Sequence, residues 1–384
     1  MAYVLTKGAT ALSSLSLPPF FADILRKFKI LPPLTDTPLL ASDTLWLYDN
    51  VAYPSSESPS GWYAEFIAAY FAANTGKDVS KVVADICEKL GLAHGDAAEK
   101  RVEERVQTFM DIVVQGRTVE VDFAAQGRVM LGPSSAGGIS INNLALPGGP
   151  YRDGEEVIST AILPEGSNER KSLATMKTRF AGKTGWGVVS DIDDTIKVTM
   201  VRDRIELLKH TFALEPEAVA GTPALYERLN AALQPAWFYL SASPYNLYTM
   251  LAKFVHENYP QGQILLREMS WQELEGFIVS LTVGTQKYKE GELERLVKHL
   301  PERKWVFIGD STQTDPESYA TTYRKFPNAV KRIFIRVVEG VNRLEERRLN
   351  SKERFEKAFN GVPTTVWRTY KDPSELDRLV AEIA

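Results

Sequence analysis

The stretch "GVVSDIDDTIK", residues 187–197, sets Asp191, Asp193 and Asp194 within four positions, directly behind a short apolar run. Carboxylates repel one another and are costly to desolvate. A buried strand that ends on them must therefore deliver them to a place where their charge is offset. From Trp186 onward the chain alternates strand-like and helix-like segments. Strand composition marks 186–190, 236–240, 263–267, 305–309, 332–338 and 364–369. Helix starts fall between them: "TPALYERL" (222–229) offers Thr222 as N-cap and Pro223 at N1, and "SPYNLY" (243–248) repeats the device with Ser243 and Pro244. This alternation predicts an α/β, doubly wound parallel sheet, with ligands beyond the carboxyl ends of the strands.

Several polar residues fall at those ends. The strand at 186–190 delivers Asp191 and Asp193, that at 236–240 delivers Ser241, and that at 305–309 delivers Asp310, with Asp315 following in "GDSTQTD". Lys289 or Lys287 opens the helix before the last of these. Carboxylates that converge cannot all stay ionised without a cation. Hard oxygen ligands select Mg²⁺, which takes one or two carboxylates and shares its other positions with water and phosphate. A hydroxyl and an ammonium at the rim suit phosphoryl oxygens. The cluster thus reads as a metal-assisted phosphoryl-transfer site with one carboxylate as nucleophile.

"DIDDT", Ser241, Lys289 and "GDSTQTD" resemble, in order and spacing, the four motifs of the haloacid-dehalogenase (HAD) phosphatase superfamily. "VVSDIDDTIKVTM", "FYLSASPYNLY", "MSW", "GTQKYK" and "IGDSTQTDPESY" resemble more narrowly the fungal actin-patch-associated phosphatidate phosphatases. The likeness covers residues 44–53 and most of 186–370 as islands. It implies that Asp191 forms an aspartyl-phosphate and that Asp193 is acid and then base. It implies Mg²⁺ held by the Asp191 carboxylate, the Asp193 carbonyl and Asp310, with Asp315 acting through water. Ser241 and Lys289 would bind the phosphoryl group, and Thr195 would steady the loop. Lys289 is preferred to Lys287 because Leu293 and Leu296 follow it at helical spacing. Asp194 is expected to cap the loop.

The rest of the chain predicts a smaller β-rich domain with helices. Its 384 residues exceed one comfortable core. Expected are an irregular segment 1–43 with an amphipathic-helix candidate at 18–33, a domain over 44–166, a linker over 167–185 and a HAD-like domain over 186–384. Within 44–166, "TLWLYDNVAY" (44–53) reads as a strand, and helices are expected near 61–74, 79–90 and 97–114, the last capped by Asp96 and Glu99. Strands follow at 117–123, 127–133 and 155–163. The charged run 342–361 reads as one solvated helix with Leu344, Phe355 and Phe359 inward. Cys87, the single cysteine, sits at helical spacing among Val82, Val83, Ile86 and Leu90 and reads as a buried thiol.

Net charge is −4, so no global field draws the chain to an anionic polymer, and no nucleic-acid motif is present. No signal peptide or membrane span is read. "AGKT" (181–184) lacks the first glycine of a P-loop, and "GPSSAG" (132–137) reads as a turn. His94, His210, His256 and His299 lack ligand spacing. Asp191 and Ser241 lie 50 residues apart and Ser241 and Lys289 lie 48 apart, room for a minimal cap only. An open crevice of that kind suits a membrane-borne phosphate, with Lys197, Arg202, Arg204 and Lys209 facing anionic lipid. The leading expectation is a Mg²⁺-dependent phosphatidate phosphatase, cytoplasmic and peripheral to membranes, with cortical actin-patch proteins as partners. A phosphatase for a soluble ester and a cortical actin-patch adaptor are the alternatives.

Overall fold

A computed structural model of the chain describes residues 36–72, 79–91, 97–167, 172–268 and 284–383. The segment 18–33, the cap Asp96, His94 and "MSW" lie outside the described residues. The first part is built from β1 (Thr37–Pro38), β2 (Asp43–Leu47), β3 (Asn50–Pro54), β4 (Trp62–Ala72), helices α1 (Val79–Leu90) and α2 (Ala97–Met110), and then β5 (Ile112–Val113), β6 (Arg117–Asp122), β7 (Arg128–Leu131), β8 (Ile139–Ala145), β9 (Glu156–Ala161) and β10 (Thr175–Phe180). These ten strands form one largely antiparallel sheet. β4 carries β2 and β3 along one edge and β8 and β5 along the other.

β4 corrects the helix expected near 61–74. Phe66, Ala68 and Tyr70 enter one core, while Ile67, Ala69 and Phe71 enter another shared with α1 and α2. A strand buried on both faces is a continuous apolar run, which periodicity cannot tell from a helix. Its aromatic content was the signal for a strand. The strand expected at 44–53 is broken at Tyr48–Asp49: Leu47 pairs with Ala68 but Ala52 pairs with Ala64, so one extra residue bulges out. The stretch 167–185, expected as a linker, holds β10, which pairs with β9 and β3. α1 ends as its sequence predicts, at Gly91 with φ +65°, and Cys87 is buried.

The second part runs β11 (Trp186–Asp191), α3 (Arg204–Leu208) with a π-helical turn over Lys209–Ala213, α4 (Thr222–Leu233), β12 (Ala236–Pro244), α5 (Tyr248–Asn258), β13 (Gln263–Arg267), α6 (Thr285–His299), β14 (Lys304–Asp310), α7 (Asp315–Lys325), β15 (Val330–Arg336), α8 (Arg343–Leu349), α9 (Lys352–Ala358), β16 (Trp367–Tyr370) and α10 (Asp377–Ile383). The six strands are all parallel, in the order β13-β12-β11-β14-β15-β16. Successive residues serve opposite faces. Val188, Val306 and Ile308 pack under α4, α5 and α10, while Val189, Trp305 and Phe307 pack under α6, α7 and α9. The chain starts at β11, builds outward to β13, then restarts on the other side at β14. Crossovers diverge at that switch and open a crevice beyond β11 and β14.

Three local expectations change. Gly221, at φ +77°, takes the cap of α4, and the Thr222 hydroxyl instead donates to the Val219 carbonyl (2.6 Å). Ser243 lies within β12, and α5 starts after a 3₁₀ turn at Tyr245–Leu247. The run 342–361 is two short helices. The two sheets share a core in which Tyr48 of the first packs on Tyr245 and Tyr248 of the second, at centroid distances of 5.3 and 3.9 Å. Arg101 and Arg105 of α2 donate to the carbonyls of Ala213, Thr211 and Leu214.

Leu344 is 81% exposed and Phe355 6% exposed. Denaturant titration of Phe355→Ala should show a loss of about 3–5 kcal/mol, and Leu344→Ala a change within about 0.5 kcal/mol. Comparable losses would restore a single inward-facing helix.

Candidate active site

β11 is apolar through Val189, and its carboxyl end delivers Asp191 into the crevice at 1% exposure. Asp191 Oδ1 accepts from Lys289 Nζ (2.6 Å) and Oδ2 from the Thr195 hydroxyl (2.9 Å). Lys289 projects from the first turns of α6, is fully buried, and also donates to Asp315 Oδ1. Lys287, two residues earlier, is exposed. The other oxygen of Asp315 accepts from the backbone N–H of Asp310 (3.1 Å). Asp310 Oδ1 accepts from Thr312 N (2.5 Å), Gln313 N (3.3 Å) and the Thr312 hydroxyl. Asp310 Oδ2 is buried and, among the described residues, finds no hydrogen-bond partner.

Carboxylate oxygens of Asp191, Asp310 and Asp315 all lie within 4.8 Å of one another. Burial, then the neighbouring Asp315, push the Asp191 carboxyl well above its ordinary range. The same two causes push Asp310 up to about 7. Burial opposes the charge on Lys289, but Asp191, Asp315 and Asp310 outweigh it and raise its pKa. One ammonium balances one carboxylate, so the cluster is two positive charges short of neutrality when fully ionised. A hard divalent cation would supply that charge, since oxygen donors are the ligands it prefers, and Asp310 Oδ2 is the oxygen open to one.

Asp193 occupies a separate niche. Ile192 between the two acids is buried in the core, as the alternation of an extended chain requires. Asp193 Oδ1 accepts from the Thr199 hydroxyl (2.9 Å), and Oδ2 from those of Ser241 (2.7 Å) and Ser243 (3.2 Å). A hydroxyl can turn from donor to acceptor, so this niche serves Asp193 with or without a proton. Gln313 Nε2 donates to the Asp193 carbonyl (3.4 Å). Asp194, at φ +60°, caps the loop with its carboxylate, which accepts from Thr199 N, Met200 N and Val201 N at 2.8–3.0 Å.

All seven motif residues of the sequence are thus brought together. Half of the basic rim is not, while Arg204 stays exposed and Lys209 pairs with Glu206 at 2.7 Å. Lys197 is buried, with Nζ donating to the Thr199 hydroxyl (3.1 Å) and the His210 carbonyl (3.3 Å), and burial lowers its pKa. Arg202 turns inward to the Thr312 carbonyl and pairs with Glu345 at 3.5 Å. Sequence reasoning missed Ser243 and Thr199. Ser243 had a signal, since i and i+2 on a strand share a face with Ser241.

Residues 186–337 match the family model described as "Phosphatidate phosphatase APP1, catalytic domain", so this segment is similar to that family. It is similar to "Phosphatidate phosphatase APP1" of Saccharomyces cerevisiae, at 28% identity over 247 residues that cover 63% of this chain and 41% of the yeast protein. An uncharacterized protein of Schizosaccharomyces pombe is 29% identical over 188 residues, covering 46% of this chain and 30% of the relative. The chain spans less than half the length of these curated relatives.

The raised pKa of Asp310 has a consequence for stability. Folded Asp310 keeps a proton between about pH 4, its unfolded value, and about 7. In that window the native state binds more protons than the unfolded one, so its stability falls as pH rises, by at most about 1.4 kcal/mol per pH unit. Asp310→Asn cannot lose this proton. In a chelator, the variant should gain stability over wild type as pH rises from 5 to 7 in thermal melts. Parallel curves would contradict the electrostatic account.

Proposed function

We propose that the chain is a Mg²⁺-dependent phosphatidate phosphatase with a HAD-like catalytic domain and a minimal cap, preceded by the β-rich part. It hydrolyses phosphatidic acid to diacylglycerol and inorganic phosphate through an aspartyl-phosphate. The observation that carries this reading is the cluster of Asp191, Asp310 and Asp315 around one lysine, with Asp310 Oδ2 unpartnered, inside a segment matched to that catalytic family. The Asp191 carboxylate, Asp310 Oδ2 and the Asp193 carbonyl would hold Mg²⁺. Asp315 would act through water, as the family resemblance implies. Bound there, the ion supplies Lewis-acid stabilisation of the phosphoryl oxygens.

The chain's own residues then divide the work. Asp191 attacks phosphorus, and the bond from phosphorus to the glycerol oxygen breaks. Asp193 gives its proton to that oxygen. As a carboxylate it next takes a proton from the water that attacks phosphorus, the bond to Asp191 breaks, and phosphate leaves. Lys289 and Ser241 hold phosphoryl oxygens, and Thr195 fixes the Asp191 carboxylate. A lipid substrate places the protein at a membrane surface, peripheral and cytoplasmic. No helix among the described residues is long and apolar enough to cross a membrane. Cortical actin-patch proteins as partners rest on the family resemblance alone. The burial of the acids and the inward turn of Lys197 and Arg202 favour a second reading, a soluble phosphate ester as substrate.

Phosphate release from phosphatidate in mixed micelles, beside a panel of soluble esters, separates the two. Phosphatidate should be the preferred substrate. EDTA should abolish activity, Mg²⁺ restore it, and Ca²⁺ restore less, since Ca²⁺ takes more ligands at longer distances. Asp191→Asn should lower turnover by at least about a thousandfold. Preference for a soluble ester would overturn the lipid reading. An Asp191→Asn variant that keeps a tenth of wild-type activity would overturn the covalent one.

A further inference from the structure

The loop that follows β14 turns its N–H groups of Thr312 and Gln313 inward onto Asp310 Oδ1. These bonds occupy that oxygen and leave Oδ2 as the open one. The carbonyls of Ser311, Thr312 and Gln313 are each taken by an arginine. Arg202 Nε donates to Thr312 O (2.7 Å). Arg354, from α9, donates Nη1 to Ser311 O (2.5 Å) and Nη2 to Gln313 O (2.6 Å). Nη1 also reaches Leu349 O (2.8 Å), and Nε and Nη2 fork onto the two oxygens of Glu317, each at 3.0 Å. A guanidinium has five N–H donors in a rigid plane, and here each has an acceptor. Arg354 therefore ties the loop to both α7 and the end of α8. It lies beyond the segment 186–337 that the family model matches.

We propose that Arg354 is a positioning residue for the metal-holding carboxylate Asp310. Its bond to the Ser311 carbonyl fixes the peptide whose Thr312 N–H holds Oδ1, and its bond to the Gln313 carbonyl braces the loop just beyond, leaving Oδ2 open. This rests on the Mg²⁺-dependent reading above. A lysine offers one ammonium and cannot span two carbonyls and a carboxylate in one plane, so the site calls for arginine. Partners that orient a metal ligand typically change metal affinity by 10–100-fold when removed.

The test measures Mn²⁺ affinity, with Mn²⁺ as the spectroscopic probe for the Mg²⁺ site. Electron paramagnetic resonance of unbound Mn²⁺ is recorded for wild type, Arg354→Gln, Arg354→Lys and the exposed neighbour variant Arg348→Gln. Melting curves are taken in EDTA, and hydrolysis of phosphatidate is titrated with Mg²⁺. Arg354→Gln should bind Mn²⁺ at least about tenfold more weakly. Half-saturating Mg²⁺ should rise by the same factor, while KM for phosphatidate at saturating Mg²⁺ stays within about twofold. Arg354→Lys should recover part of the affinity, and Arg348→Gln should match wild type. If Arg354→Gln does not fold, the Arg354→Lys shift decides. Wild-type Mn²⁺ affinity in a folded Arg354 variant overturns the proposal, as does a turnover loss at unchanged affinity. A wild-type chain that binds Mn²⁺ without hydrolysing phosphatidate sinks the functional reading, and the affinity comparison still judges Arg354. A wild-type chain that binds no Mn²⁺ overturns both.

Discussion

The buried ammonium of Lys289, held between Asp191 and Asp315, is the interaction on which the site depends. It lets two carboxylates from different elements approach within the crevice, yet it carries one charge against three acids. Removing one member of such a buried pair costs about 3–5 kcal/mol, because the partner charge is stranded. The topology brings these groups together. β11 and β14 are neighbours at the switch in strand order, and α6 crosses over between β13 and β14. The residual negative charge is what the proposed cation, and through it a phosphoryl group, would answer.

The two acids of the first motif acquire different chemistry from different surroundings. Asp191 is buried against a lysine and other carboxylates, whereas Asp193 sits among three hydroxyls. A group that meets a positive charge suits a nucleophile, and one whose partners can reverse their hydrogen bonds suits a proton carrier. The first sheet serves this arrangement from behind. Tyr48 packs on the turn that follows Ser243, and the arginines of α2 hold the π-helical turn whose His210 carbonyl accepts from Lys197. Helices after the matched segment serve it from the front, through Arg354 and Glu345.

Much of the parallel sheet was legible, because its strands are short apolar runs that end on polar residues and are separated by helices. The residues at those ends were legible for the same reason: the carboxyl ends of parallel strands meet. β4 was not, since burial on both faces erases the period that distinguishes strand from helix. Ser243 was read as a helix cap because "SP" fits that role locally, and only the length of β12 moves it into the site. Lys197 and Arg202 were read as part of a rim facing anionic lipid because charge favours the surface. Their acceptors include backbone carbonyls of a neighbouring turn and loop, which carry no residue signature. Arg354 was invisible for the same reason.

The charge deficit around Lys289 can be measured directly by calorimetric titration of metal-free protein with Mg²⁺. The account predicts one Mg²⁺ bound per chain by wild type and none by Asp310→Asn at the same concentrations, with both proteins folded. Binding of equal stoichiometry and affinity by the two proteins would contradict it.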